Sequence, residues 1–336
     1  MNTPAELRCI HHGLRLSTPD ARPVETALAL VCSEGCRVPV INGIPRFVEQ
    51  TSYADAFGIQ WNAFRKTQLD SHTGTTISRD RLTRCFGGSL RVVKGNSVLE
   101  VGCGAGRFTE LMLAAGARVF ACDLSSAVEA NYQNCNRATD YFVCQADVRS
   151  LPAARNAFDV VMCLGVIQHT PSPEETMKEL ASYVRPGGVL VIDHYTANYP
   201  QNFLQRNIRK LLIRLPPRVA KSLAVSLART LLPLHQLTWK NRRGVWRLRG
   251  PLLRHSPLID YRDAYPQLGE ERLGEWSILD TNDTLTDYYK HIRTAEEIQA
   301  VLHSCGLVEL EIACAGNGVE ARARMPAAEN QNIIRA

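Results

Sequence analysis

The stretch Val98-Leu-Glu-Val-Gly-Cys-Gly-Ala-Gly-Arg-Phe-Thr-Glu110 runs an apolar segment into a glycine-spaced turn and then a helical segment. No other feature constrains the fold as much. Gly102, Gly104 and Gly106 follow a Gly-x-Gly-x-Gly spacing, which lets the backbone turn sharply and approach a ligand where a Cβ would intrude. Asp123 closes a second apolar segment, Ala117-Arg-Val-Phe-Ala-Cys122. A carboxylate about 20 residues after the first glycine is where a doubly wound fold holds a ribose diol. The pattern predicts a nucleoside-binding turn. The competing reading, a purely structural turn with Asp123 and Asp147 as helix N-caps, weakens once later segments are added.

A dinucleotide fits poorly, because the last glycine arrives one residue early and Arg107 follows it. Glu100 puts a carboxylate where a dinucleotide brings phosphates but an amino acid brings an ammonium, and a sulfonium amino-acid nucleoside suits that pattern. The segment resembles motif I of class I S-adenosylmethionine-dependent methyltransferases. Three further segments resemble the rest of that family in order: Cys144-Gln-Ala-Asp-Val148, Phe158 through His169, and Val184-Arg-Pro-Gly-Gly-Val-Leu-Val-Ile192. The resemblance implies an α/β, Rossmann-like sheet of seven strands with the last antiparallel. It implies S-adenosyl-L-methionine held by Glu100, Gly102, Cys103, Gly104, Gly106, Asp123, Leu124, Asp147, Val148 and Leu164.

Near the amino terminus, Cys9-x-x-His12 and Cys32-x-x-x-Cys36 form two ligand pairs about 20 residues apart, a spacing that suits tetrahedral zinc. Chance clustering or buried thiols are the alternative. A module this short has too little core to fold firmly by burial alone, so a structural Zn2+ would supply the deficit. His11 competes with His12 for the fourth position. The strand and turn Arg37 through Phe47 resemble those ending the zinc ribbons beside some methyltransferases. Phe57, Trp61 and Phe64 recur at helical spacing; the resemblance adds Gln60 and Trp61 as contacts closing over the cofactor, and Gln68 to His72 continues toward the same mouth.

The net charge is +6, yet residues 194 to 259 hold thirteen Lys and Arg and no acid. The remainder of the chain is therefore net negative, and so basic a stretch must pair with acids elsewhere or face an anionic partner. Phe203 to Leu215 places Leu204, Ile208, Leu211 and Leu215 on one face, with Arg206, Arg209 and Lys210 away from it. Pro216-Pro217 stops that helix, and Val219 to Leu232 repeats the pattern with Leu223, Val225, Leu227 and Leu231. A lid over the site is the first reading of this insertion. Contact with an anionic membrane surface or RNA through residues 203–254 stays open, with Trp239, Trp246 and Arg242-Arg243 as the aromatic and basic groups for RNA.

Thr294 and Glu297 form a capping box before a helix to Cys305, and 307–313 and 318–324 alternate as strands. The sequence thus divides into a zinc-ribbon-like module (1–48), a helical cap and linker (49–96), the cofactor-binding core (97–196), the basic insertion (197–290), a helix and strands completing the sheet (291–325), and a tail (326–336).

An oxygen acceptor must lose a proton, and His169, just past the fourth strand of the core, is the expected base; a capping role is its alternative. Tyr195 or His194 would orient the acceptor, and Trp276, Asp280, Tyr288, Tyr289 and His291 suit a pocket lining. The expectation is a methyltransferase acting on a small-molecule or lipid-like acceptor, O-methylation preferred over an RNA base methyltransferase or a non-catalytic cofactor-binding scaffold. Most of the eleven cysteines lie in apolar strands or the turn, no run approaches the roughly 18 apolar residues that span a bilayer, and residues 1–20 lack an apolar block behind a basic start. A cytoplasmic chain, with membrane-peripheral attachment left open, is expected.

Overall fold

Five apolar segments form parallel strands: β4 (Ser97–Val101), β5 (Arg118–Asp123), β6 (Tyr141–Gln145), β7 (Phe158–Cys163) and β8 (Val184–Tyr195). Val98, Leu99, Val119, Phe120, Val160, Val161 and Val191 are fully buried in them, as strands covered on both faces must be. The computed structural model describes residues 6–19, 23–48, 52–199, 201–239, 245–316 and 318–327. Two more strands, β9 (Val308–Ala315) and β10 (Gly318–Arg324), complete a sheet of order β6-β5-β4-β7-β8-β10-β9, with β10 antiparallel to both neighbours. The expected seven-strand Rossmann-like class is borne out. β4 pairs with β5 on one side and β7 on the other, so the strand order reverses there and leaves a crevice at its carboxyl end.

The amino-terminal residues form a separate antiparallel sheet of β1 (Ala29–Val31), β2 (Arg37–Ile41) and β3 (Ile44–Pro45). It covers the exposed edge of β6. The Phe47 amide donates to the Gln145 carbonyl (2.8 Å), while Arg46 donates to the Gln145 side chain (3.1 Å) and pairs with Glu129 (2.8 Å). An edge strand tied down in this way offers no template for another chain.

The helix Asp55–Ala63 approaches the core closely because residue 58 is glycine: a Cβ there would come within 2.4 Å of Ser126 Oγ. That approach carries Phe57, Gln60 and Trp61 over the crevice. On the far side, helices Phe203–Leu212, Arg249–His255 and Gly269–Thr286 roof it through Gln205, Leu253, Trp276, Asp280 and Asp283, and Pro217–Trp239 packs behind Gly269–Thr286. The first of these is closed by Asn202 and Gln205 in a capping box, and Thr294 with Glu297 caps the helix Ala295–Ser304 as expected.

The expected apolar faces of the first two helices are divided between surface and interior. Phe203 is 73% exposed, Leu211 65% and Leu223 49%, with Leu204 and Leu215 also exposed, whereas Ile208 and Leu227 pack against the cluster of Leu212, Ala220, Ala224 and Leu285. The helix Pro217–Trp239 buries Ala220, Ala224 and Ala228. Alanines let it approach the helix Gly269–Thr286 closely, and Ala220 and Ala224 cluster with Leu285.

Candidate active site and metal centre

The crevice is a cavity of about 910 Å³, within the range that encloses a drug-sized ligand. Its floor is the glycine turn. Gly102 has φ +75°, and a Cβ there would come within 2.2 Å of Val166 Cγ2; glycine satisfies both the conformation and the space. Gly102, Cys103, Gly104, Asp123, Leu124, Asp147, Val148, Leu164, Gln60 and Trp61 all line the cavity. Two expected residues do not. Gly106 lies behind the turn, 3.0 Å from Cys135 Sγ as measured from a Cβ built on it. Glu100 turns inward, where its carboxylate accepts a hydrogen bond from Thr109 Oγ1 (2.6 Å) and burial pushes its pKa up to about 8. The charge ascribed to it on sequence grounds is thus absent from the cavity surface.

Asp123 is fixed by three donors at the cavity wall. Its Oδ2 accepts from the Gly104 amide (3.0 Å) and its Oδ1 from the amide and hydroxyl of Ser125 (2.8 and 2.7 Å). Burial raises its pKa and those three donors work against the rise. Asp147 caps a short 3-10 turn and pairs with Arg149, so its N-cap role and its place on the cavity wall coexist.

His169 sits on the opposite wall, buried between the rings of Phe57 (5.2 Å between centroids) and Tyr195 (5.4 Å). Its Nδ1 lies 3.0 Å from the carbonyl oxygen of Tyr289 and 3.3 Å from Asp287 Oδ2. A carbonyl can only accept, so Nδ1 carries the proton and Nε2 keeps its lone pair. Nε2 has no protein hydrogen-bond partner among the described residues. Burial lowers the His169 pKa, but the carboxylate of Asp287, aided by Asp283 and the Tyr289 carbonyl, outweighs burial and raises it. Asp287 is itself fully buried, paired to Arg209 (2.6 Å) and Lys290 (3.1 Å), and those cations hold it ionised against burial.

Tyr195 lines the cavity, stacked on Tyr199 at 3.8 Å. His194, its neighbour on β8, points to the other face of the sheet, as alternation along a strand requires. There its Nδ1 meets the Tyr195 carbonyl (2.8 Å) and its Nε2 is buried without a partner; it does not reach the cavity. Of the late aromatic and polar cluster, Trp276 and Asp280 line the cavity, whereas Tyr288, Tyr289 and His291 do not. Trp239 is no stacking platform, because it is buried with its Nε1 donating to Asp260 (2.9 Å). Arg242 and Arg243, and the Trp246 side chain, lie outside the described residues.

Sequence reasoning missed Asp283 and Asp287. With Asp280 they recur at helical spacing along and just past Gly269–Thr286, the one signal that could have found them. Asp280 accepts from Tyr261 (2.5 Å), Trp276 (3.1 Å) and Gln68 (3.1 Å), and burial followed by the charge of Asp283 pushes it up to about 6. Arg107, also in the lining, donates to Ser78 (2.7 Å) and Gln68 (3.0 Å) and has no carboxylate within ion-pair distance among the described residues. Burial and then the repulsion of Arg81 lower it to about 10.

The second site lies in the amino-terminal sheet. Nδ1 of His12 stands 3.8, 3.5 and 3.6 Å from the sulfurs of Cys9, Cys32 and Cys36, and the four ligand atoms lie within 4.8 Å of one another. Zinc bonded to sulfur at about 2.3 Å and nitrogen at about 2.0–2.1 Å in a tetrahedron separates S from N by roughly 3.5 Å. The cluster fits, and it selects His12 over His11.

Residues 99–192 match the methyltransferase domain family. A ubiquinone biosynthesis O-methyltransferase from Coxiella burnetii is 31% identical over 110 residues, which are 32% of this chain and 47% of that protein. One from Aromatoleum aromaticum is 30% identical over 128 residues, 37% of this chain and 54% of that protein. The chain therefore spans about half the length of these relatives. A solved methyltransferase from Aquifex aeolicus overlays 82% of this chain and 99% of its own at 13% identity and a TM-score of 0.43.

Proposed function

We infer that this chain, whose residues 99–192 belong to the class I S-adenosylmethionine-dependent methyltransferase family, transfers a methyl group to an oxygen of a small-molecule or lipid-like acceptor. The observation that carries the reading is the His169 imidazole: Nδ1 proton fixed on Tyr289 O with the Asp287 carboxylate beside it, Nε2 lone pair free, in the wall of the cavity whose floor is the glycine turn. The names of the curated relatives also point to oxygen.

When bound, the cofactor supplies a methyl group activated on a sulfonium. Asp123 would accept hydrogen bonds from its ribose hydroxyls, Trp61 and Leu124 would enclose the nucleoside, and the amides of the turn would hold its amino-acid end. His169 Nε2 would take the acceptor's hydroxyl proton, leaving the oxygen to receive the methyl group. Asp287 offsets the positive charge that His169 gains. Tyr195 and Tyr199 hold the acceptor plane, and the roof excludes water, so alignment supplies much of the rate. Cys9, His12, Cys32 and Cys36 hold a structural zinc that stiffens the sheet packed on β6.

Incubation with methyl-labelled cofactor and a panel of phenolic and aliphatic alcohols tests this reading. Label should enter an acceptor with wild type and not with His169→Ala, while both bind S-adenosylhomocysteine. A non-catalytic scaffold would label nothing, and its function would fail with Cys32→Ala but survive His169→Ala.

A further inference from the structure

The roof helices turn their larger apolar side chains outward. On Pro217–Trp239, Val219, Leu223, Leu234 and Leu237 are 43–58% exposed, and at about 100° per residue they fall within one arc of roughly 60°. Thr230 lies inside that arc and Ser226 at its border, and the Thr230 hydroxyl donates back to the Ser226 carbonyl (2.9 Å). On Phe203–Leu212, Phe203, Leu204 and Leu211 are exposed together. A contiguous apolar face on the surface marks a contact.

Charge identifies the occupant. Arg206, Lys210, Arg214 and Arg218 follow a four-residue spacing beside this face, all exposed and without an ion pair among the described residues. Arg229 adds a fifth. Among the described residues, the Lys and Arg of the basic stretch that meet acids are Arg209, paired with Asp287, and Arg249, paired with Asp260 and Asp263. Apolar stripes bordered by unneutralised Lys and Arg are what a helix lying in lipid headgroups requires, and among the described residues no helix is long and apolar enough to cross a membrane.

We propose that the outer face of helices Phe203–Leu212 and Pro217–Trp239 docks on the surface of an anionic lipid bilayer. The amino-terminal end of Phe203–Leu212 reaches the cavity, which Asn202 and Gln205 line. Leu253 lines the cavity yet is 42% exposed, and Asn202, immediately before Phe203, bonds the Ser256 carbonyl (2.7 Å). Resting on the methyltransferase reading above, docking here gives an acceptor dissolved in the bilayer a short path to His169.

The test is co-flotation of the full chain with phosphatidylcholine vesicles, with and without phosphatidylglycerol, which needs neither acceptor nor cofactor. Two variants accompany it: Leu211→Gln with Leu223→Gln, and Arg206→Gln with Lys210→Gln, Arg214→Gln and Arg218→Gln. Wild type should float only with phosphatidylglycerol and detach as salt rises. Each neutralised cation should lower partitioning about fivefold, and the leucine variant should also detach. Thermal unfolding and S-adenosylhomocysteine binding report whether the variants remain folded. Failure of wild type to float with either vesicle overturns the proposal, as does full binding by the leucine variant. Binding to a structured RNA in preference to anionic vesicles would assign the face to nucleic acid and overturn it as well.

Discussion

Asp287 Oδ2 stands 3.3 Å from His169 Nδ1, with both side chains buried and the two residues brought together from opposite ends of the roof and core. The carboxylate raises the affinity of the imidazole for a proton, and a base acts only when neutral. Activity should therefore rise with pH through a value above the ordinary histidine range. In Asp287→Asn the rising limb should move to lower pH and the plateau kcat should fall, because the base is weaker. His169→Ala should lower kcat about 10²- to 10⁴-fold with little change in S-adenosylhomocysteine binding. A pH–rate profile whose rising limb is the same in Asp287→Asn would separate the pair from the chemistry.

Glu100 gives a second dependence with the opposite consequence for stability. Its folded pKa of about 8 lies above its ordinary 4.5, so between those values the folded state binds the extra proton and stability falls as pH rises. Glu100→Gln removes that slope. Its melting temperature should gain on wild type progressively from acidic to mildly alkaline buffer, and a constant difference across that range would show that Glu100 does not titrate as its burial demands.

Metal content is the third expectation. Purified protein should hold one zinc per chain, and Cys32→Ala should lose it, because three ligands bind far more weakly than four. The amino-terminal sheet should then open to proteolysis while S-adenosylhomocysteine still binds, since none of the described ribbon residues lines the cavity. Metal-free protein with a protease-resistant ribbon would argue for a thiol cluster packed by burial alone.

The alanine face of the roof makes a stability prediction. Ala224 is fully buried and Leu223 beside it is 49% exposed. Ala224→Leu should destabilise by about 1–3 kcal/mol through overpacking, whereas Leu223→Gln should stay within about 0.5 kcal/mol of wild type. Thermal or urea unfolding of the two variants checks the order, and reversal would mean that the leucines pack inward.

What the sequence disclosed and what it concealed divide along physical lines. The glycine turn, Asp123, the apolar strands and the capping box at Thr294 were legible because each is a local pattern with a local cause. Cys9, His12, Cys32 and Cys36 were visible as two short-range pairs, and the structure places His12, rather than His11, beside the three sulfurs. The His169–Asp287 relationship was not, because nothing near His169 in sequence announces a partner carried in by a distant helix. The roof was left open for a different reason. Periodicity gives a helix an apolar face but not the direction it points, and Ala220, Ala224 and Ala228 hold the buried side of Pro217–Trp239 while Leu223, Leu234 and Leu237 lie at the surface. His194 and Glu100 show the same limit at the scale of one residue: each has suitable chemistry and faces away from the cavity.

The most direct test of the central claim is an equilibrium titration of S-adenosylhomocysteine into wild type and Asp123→Ala, each verified as folded. Saturable one-to-one binding to wild type, weakened roughly ten- to a hundredfold in the variant by loss of hydrogen bonds to a charged acceptor, is the result the account predicts. No binding to folded wild type, or equal binding to both, would contradict it.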